Sequence, residues 1–284
     1  MLQSITLPSG ITATTITAAQ TGSATAGERA PLLFVHGMFG GAWQFAEWQR
    51  HLAMMGYSSV AIDLRGHNGS RPVADIGKVS THEYVEDAMT TARTMGKPVV
   101  VGHSMGGLIA QKLAEAGAVS AAVLLCSAPP KGISIASAAL LIRQVKHASA
   151  ILLSRPLLPD RSDAEALVLN HVPPSERDAL LERMVPESGR AAREMSLGAI
   201  AVDEQRVHCP VLSAGAGDDR FLPPRISRAL AKKYGAEHRE YAGHGHYIVG
   251  EPGWERVADD LADWISAQGQ SLNARTSPSP APPR

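Results

Sequence analysis

Cysteine is nearly absent from this chain: Cys126 and Cys209 are the two in 284 residues. So few exclude a disulfide-built scaffold. One falls at the end of a predicted strand and the other at the start of a second, parallel one, which puts them at opposite edges of a sheet as buried free thiols. A charge excess is absent too, with 27 Lys and Arg against 27 Asp and Glu. Without a surplus of one sign there is no electrostatic footprint for nucleic acid or for an anionic membrane surface. Nowhere do about 18 apolar residues run together, the least a membrane span needs. The opening Met1-Leu2-Gln3-Ser4-Ile5-Thr6 also has no basic stretch followed by an apolar one. The expectation is a soluble cytoplasmic protein with no membrane or nucleic-acid partner. What is present, 44% hydrophobic and 19% charged residues, fits one large α/β domain with an embedded insertion and a substantial core.

The order of elements supports this. Ile5 to Leu7 and Ile11 to Thr17 flank Pro8-Ser9-Gly10 and read as an antiparallel hairpin. A polar connection, Gln20 to Ala30, follows. Strand signals at Leu32 to His36, Ser59 to Asp63, Val99 onward and Val119 to Cys126 then alternate with helices around Trp43 to Met55 and Thr81 to Met95. Ser80 and Glu83 form the S-x-x-E capping box that starts the second of these helices. Strands separated by helices imply crossovers, and hence a parallel sheet wrapped on both faces. The alternation stops from Pro129 to Val207, where amphipathic pieces (Ile133 to Leu153, Asp163 to Asn170, Ser175 to Met184) are broken by prolines. It resumes with a strand at Val211 to Gly215, a helix near Arg225 to Tyr234, a short strand at Arg239 to Tyr241 and a last helix from Pro252 to Ala267. An insertion after the sixth strand lies over the strands' carboxyl ends, where a ligand crevice forms, so it reads as a cap. The division expected is core at 1–128, helical cap at 129–207 and core again at 208–269. Residues 270–284, rich in Pro and Ser, form a tail expected to be disordered.

Residues Val99 to Ala110 read V-V-V-G-H-S-M-G-G-L-I-A, with Gly102-His103-Ser104-Met105-Gly106 between a β-branched run and a helix-compatible stretch. This is a G-x-S-x-G nucleophile elbow in the strand-to-helix setting it requires. A bulky side chain at 102 or 106 would collide with neighbouring backbone around the strained serine, hence Gly on both flanks.

Taken with that order of elements, the chain resembles the α/β-hydrolases, in their serine esterase and lipase branch, over roughly residues 5 to 269. The resemblance implies a mostly parallel eight-stranded sheet with helices on both faces and a helical cap after strand 6. Leu33-Phe34-Val35-His36-Gly37-Met38-Phe39-Gly40-Gly41 is similar to the family's His-Gly oxyanion loop. On that likeness the backbone amides of Met38 and Met105 hold the oxyanion, and His36 is structural. Gly217-Asp218-Asp219-Arg220-Phe221-Leu222-Pro223 is similar to the loop carrying the acid four residues before a proline, which selects Asp219 over Asp218. Gly243-His244-Gly245-His246, with Glu251 five residues beyond His246, is similar to the histidine loop and selects His246 over His244. Asp63-Leu64-Arg65-Gly66-His67-Asn68-Gly69-Ser70 is similar to a D-x-R-G-x-G-x-S turn with one glycine displaced, Asn68 standing where Gly is usual. Asn tolerates the left-handed backbone such a turn needs, and Asp63 and Arg65 read as structural.

The order Ser104, Asp219, His246 is the one this fold uses. The chemistry implied is hydrolysis of a carboxylic ester or lactone through an acyl-enzyme, with water as second substrate and no cofactor. His244 and His246 could suggest an H-x-H metal site, yet no further ligands sit at metal spacing nearby, so no metal is expected. Apolar cap residues and the loop residues Phe39, Phe221, Leu222 and Tyr247 point to an uncharged, apolar small molecule; Leu140, Leu141 and Val145 are the cap residues expected to face it. Small esters, macrolactones and thioesters all fit. Ser104 argues against the Asp-nucleophile dehalogenases and epoxide hydrolases of the same fold. Hydroxynitrile lyases and perhydrolases keep the same triad, and a non-enzymatic ligand receptor on this fold would be separated by failure of Ser104 to react with a fluorophosphonate. Oligomeric state leaves no mark in the sequence.

Overall fold

The β-branched run before the elbow forms β5 (Val99–His103), buried along its whole length, in a computed structural model that describes residues 1–18, 29–135 and 145–276, with 269–276 as backbone only. Around it lie β1 (Gln3–Thr6), β2 (Thr12–Ile16), β3 (Leu32–Val35), β4 (Ser59–Ile62), β6 (Ala121–Leu125), β9 (Val211–Ala216) and β10 (Glu237–Tyr241). These form one sheet of eight strands in the order β1-β2-β4-β3-β5-β6-β9-β10. β1 and β2 pair antiparallel, as the Pro-Ser-Gly turn predicts, and β2 runs antiparallel to β4; the rest are parallel. This is the α/β-hydrolase fold.

Because side chains alternate across a strand, the parallel strands feed two cores and read as continuous apolar runs. Leu32, Phe34, Val99, Val101 and Val123 pack on one face with the helices Ala46–Met54 and Trp254–Thr276. Leu33, Val35, Val100, Ala122 and Leu124 pack on the other with the helices Thr81–Thr94 and Met105–Glu115. Trp48 shows how this packing reaches the site. It is fully buried and its indole N–H donates to the Val249 carbonyl at 2.8 Å, three residues past His246. Truncating a buried aromatic of that size costs about 3–5 kcal/mol. The helix Thr81–Thr94 starts on the predicted capping box, with both Ser80 and Glu83 bonds formed. Asp63 accepts from the Ala42 amide at 2.8 Å and from Asn68 Nδ2 at 2.9 Å, while Arg65 grips Asp87 in a bidentate pair at 2.8–3.1 Å. Asn68 takes φ +46°, the left-handed backbone its position requires.

Four expectations are corrected. Of the helix expected over Ile133 to Leu153, residues 136–144 lie outside the described residues, 133–135 are not helical, and the rest is a 3₁₀ turn at Val145–His147 and a short helix at Ala148–Leu152. The Asp163 to Asn170 piece becomes one turn at Arg161–Asp163 running into a π-helical Ala164–Val168. Between these pieces, β7 (Pro156–Leu157) and β8 (Glu187–Ser188) pair antiparallel, a small sheet that no periodicity announces. The last helix runs to Thr276, into the segment expected to be disordered; Leu140, Leu141 and residues 277–284 lie outside the described residues. The cysteines are free, but β6 and β9 are adjacent, so Cys126 and Cys209 lie at opposite ends of one strand pair rather than at opposite edges of the sheet. Among the described residues no helix is long and apolar enough to cross a membrane.

Candidate active site

Ser104 follows β5 and precedes the helix Met105–Glu115 in a turn too tight for ordinary residues. Its φ is +54° and ψ −117°, a conformation L-residues rarely hold. The flanking glycines make it possible: a Cβ on Gly102 would lie 2.1 Å from the Gly106 carbonyl oxygen, and one on Gly106 would lie 2.1 Å from that of Val35. The turn is pinned by the Ser104 N–H donating to Leu125 and by the Ser104 carbonyl accepting from Ala128, at 3.0 and 2.9 Å. The nucleophile candidate is therefore fixed by the backbone of two neighbouring strands.

The loops after β9 and β10 bring the other two residues to it. His246 Nε2 is 3.0 Å from Ser104 Oγ, and His246 Nδ1 is 2.8 Å from Asp219 Oδ2. A carboxylate only accepts, so the proton between them sits on Nδ1, and Nε2 is left to accept from the serine. The other oxygen of Asp219, Oδ1, accepts from the Phe221 and Leu222 amides at 2.8 and 2.7 Å, which fixes the carboxylate's orientation. All three side chains are buried. The rival residues point elsewhere. Asp218 faces His171 at 3.2 Å with 54% of its side chain exposed, and His244 faces Glu251 at 3.4 Å. Their backbones join the two loops instead, the Asp218 amide donating to the His244 carbonyl at 2.9 Å.

His103, the residue before the serine, fills the variable position of the motif and carries no signal in the sequence for what it does in the structure. Its Nε2 lies 2.8 Å from the His246 carbonyl and must donate to it. Burial, then the neighbouring His246, pushes the His103 pKa down to about 3. It therefore stays neutral beside His246. His36 is likewise structural: burial, then His67, lowers it to about 3, and it bridges the Gly37 carbonyl and the Leu64 amide.

Met38, Met105, Phe39, Phe221, Leu222 and Tyr247 all line one cavity of about 150 Å³ together with Ser104 and His246. Met105 is the first residue of its helix, so its N–H has no partner within the helix. The segment between β6 and β9 roofs this cavity with Ile135, Ile151, Leu157, Leu167, Met184 and Met195. Val145 is not among the lining residues. It is 72% exposed, because the turn Val145–His147 presents His147, not Val145, to the cavity. His147, Asp160 and Asp163 could surround a cation, but the Lys146 ammonium already pairs with both carboxylates there. The lining is otherwise overwhelmingly apolar.

Sheet and elbow together define a class, the α/β-hydrolase fold with a serine on the turn between strand and helix. A family model described as "Alpha/beta hydrolase family" matches residues 32–260, and the chain belongs to that family. Over 268 residues it is 25% identical to the non-heme chloroperoxidase CPO-A1 of Kitasatospora aureofaciens, an alignment spanning 84% of this chain and 94% of that protein. Its structure is similar to a monoacylglycerol lipase of Paleococcus ferrophilus, with TM-score 0.66, 22% identity, and coverage of 84% of this chain and 96% of that one. It is also similar to a soluble variant of monoglyceride lipase from Saccharomyces cerevisiae solved with a substrate analogue, with TM-score 0.71, 18% identity, and coverage of 94% and 95%.

Proposed function

We propose that this protein is a serine hydrolase that cleaves a carboxylic ester or lactone of an uncharged, apolar small molecule. The observation that carries the reading is the unbroken chain of hydrogen bonds from Ser104 Oγ through His246 to Asp219, opening into an apolar cavity. His246 Nε2 takes the serine proton as Oγ attacks the acyl carbon. Asp219 holds the imidazole in the tautomer that can do this and stabilises the imidazolium that results. The amides of Met38 and Met105 receive the negative charge on the carbonyl oxygen. His246 then gives its proton to the departing alcohol, leaving Ser104 acylated. A water molecule, deprotonated by His246, attacks the acyl carbon, and collapse of the second tetrahedral intermediate returns the proton to Ser104 and frees the acid.

Size narrows the acyl group. A cavity of about 150 Å³ matches that of an engineered apolar cavity that binds benzene. Short acyl and benzoyl esters are accordingly the first candidates. The test is fluorophosphonate labelling of Ser104, followed by p-nitrophenyl esters of graded acyl length beside a panel of lactones and thioesters. Labelling of Ser104 with turnover of any of these supports the reading; an unlabelled, inert protein means a receptor on the same fold. The likeness to a protein named a chloroperoxidase adds hydrogen peroxide to the acyl acceptors worth trying.

A further inference from the structure

The amide assigned to the oxyanion, that of Met38, lies between two residues whose backbones are both fastened. On one side the Gly37 carbonyl is 2.8 Å from His36 Nδ1. His36 Nε2 accepts the Leu64 amide at 3.1 Å, so the proton is on Nδ1 and is donated to that carbonyl. On the other side Phe39 holds φ +65°, which a bulky residue keeps only where its surroundings impose it. Those surroundings belong to the roof. The Phe39 amide donates to Glu187 Oε2 at 3.4 Å, and the Phe39 carbonyl accepts from the Val185 amide at 3.0 Å.

Glu187, in β8, has no exposed surface. It accepts from the Tyr84 hydroxyl at 2.6 Å, the Ser188 amide at 2.7 Å and His67 Nε2 at 3.1 Å. The His67 ring in turn packs against His36, with centroids 5.0 Å apart. One carboxylate thus joins the roof, the turn after β4 and the helix Thr81–Thr94 to the loop that carries Met38. Stability alone is a weak reason for such a group, since replacing a buried ion pair by apolar side chains is often neutral or stabilising.

We propose that Glu187 is a positioning residue for the oxyanion hole: it reaches down from the roof, holds Phe39 in its left-handed conformation and so aims the Met38 amide at the developing oxyanion. The inference rests on the serine-hydrolase reading. It makes hydrolytic competence depend on a seated roof, although the roof supplies none of the three residues of the hydrogen-bonded chain.

Glu187→Gln keeps the shape of the side chain but cannot accept from Tyr84, Ser188, His67 and Phe39 at once. With p-nitrophenyl butyrate it should lower kcat by about 10- to 100-fold, less than the loss of a whole oxyanion donor, with KM within about twofold of wild type. Affinity for butylboronic acid, which becomes a tetrahedral anion on Ser104, should fall by a similar factor. Tyr84→Phe removes one of the two donors on Glu187 Oε1, the Ser188 amide remaining, and should shift both quantities in the same direction by a smaller factor. It carries the test alone if Glu187→Gln does not fold. Wild-type kcat in the folded variants, or a raised KM with kcat and boronate affinity unchanged, would reduce Glu187 to a support for the roof and overturn the proposal. Fluorophosphonate labelling of wild-type Ser104 separates the two failures: labelled wild type with unaffected variants sinks this inference only, whereas unlabelled wild type sinks the hydrolase reading beneath it.

Discussion

Replacing Asp219 by Asn tests the site more sharply than removing it, because the structure dictates which way the new amide turns. Asp219 Oδ1 accepts two backbone N–H groups, from Phe221 and Leu222, and Oδ2 faces His246 Nδ1. In Asp219→Asn the amide oxygen stays with the two N–H donors, since turning it would set an NH₂ against both and forfeit about 0.5–1.5 kcal/mol for each bond, plus the repulsion. The NH₂ therefore points at Nδ1 and forces the imidazole proton onto Nε2. In that tautomer His246 cannot accept from Ser104 Oγ, 3.0 Å away. A loss of about 10⁴ in kcat follows, equivalent to about 5 kcal/mol of barrier. The assay is kcat for p-nitrophenyl butyrate with a melting curve to verify folding, and Asp218→Asn as the control. Because Asp218 bonds to His171 and not to His246, the control should stay within about threefold of wild type, as expected of a surface change. An Asp219→Asn enzyme within tenfold of wild type, or a more damaging Asp218→Asn, would show that the acid has been misassigned.

Ser104→Ala should fold normally and lose about 10⁴- to 10⁶-fold in kcat; retention within tenfold would place the nucleophile elsewhere. His246→Ala should abolish turnover while His244→Ala does not, measured with the same ester. Ile151→Asp, in the roof, should raise KM for benzoyl or hexanoyl esters well above its effect on acetate, whereas Val145→Asp should leave both unchanged because it faces solvent; equal effects at the two positions would refute the placement of the roof. Stability should fall as pH drops below about 6.5. There the unfolded chain protonates His36 and His103, while the folded protein keeps both neutral down to about 3. The slope should be on the order of 1 kcal/mol per pH unit for each. His67, whose pKa is raised despite the opposing effect of burial because Glu187 favours its charge, works the other way just below 6.5, where the unfolded chain is still taking up that proton, and offsets part of the slope there. A flat urea midpoint between pH 6.5 and 5 would contradict it.

Where local chemistry decides the backbone, the sequence was readable. Gly102 and Gly106 are required by carbonyl oxygens 2.1 Å from where their side chains would be, and a strand-turn-helix pattern announces such a site. The capping box at Ser80 and Glu83, and Asn68 in its left-handed turn, belong to the same kind. The two residues hydrogen-bonded in line with Ser104, Asp219 and His246, are distinguished from Asp218 and His244 by spacing from Pro223 and Glu251, because those residues fix where each loop re-enters regular structure. The roof was not readable in this way. Among the described residues its helices span only three to nine residues where prolines break the pattern, too short for periodicity to set which face turns inward, and Val145 turns to solvent rather than to the cavity. β7 and β8 are two residues each and pair across thirty positions of chain, a contact decided by tertiary packing. Glu187 carried no signal either, since an isolated Glu after a proline looks like surface until its Tyr84, His67 and Phe39 partners are assembled.

Ser104, Asp219 and His246 all stand at the rim of the sheet, on loops after β5, β9 and β10, and the stretch between β6 and β9 enters and leaves the sheet without contributing to that chain of bonds. On the serine-hydrolase reading proposed above, the roof is a target for segment exchange. A foreign segment could be spliced between Ala128 and His208 to recruit new substrates while Ser104, Asp219 and His246 stay in place. Besides the bonds of Val168 and Asn170 to the loops after β10 and β9, the splice carries a condition set by the left-handed Phe39. The donor segment must bring its own acceptor for the Phe39 amide and its own donor for the Phe39 carbonyl, or the transplant will bind its intended substrate and turn it over slowly.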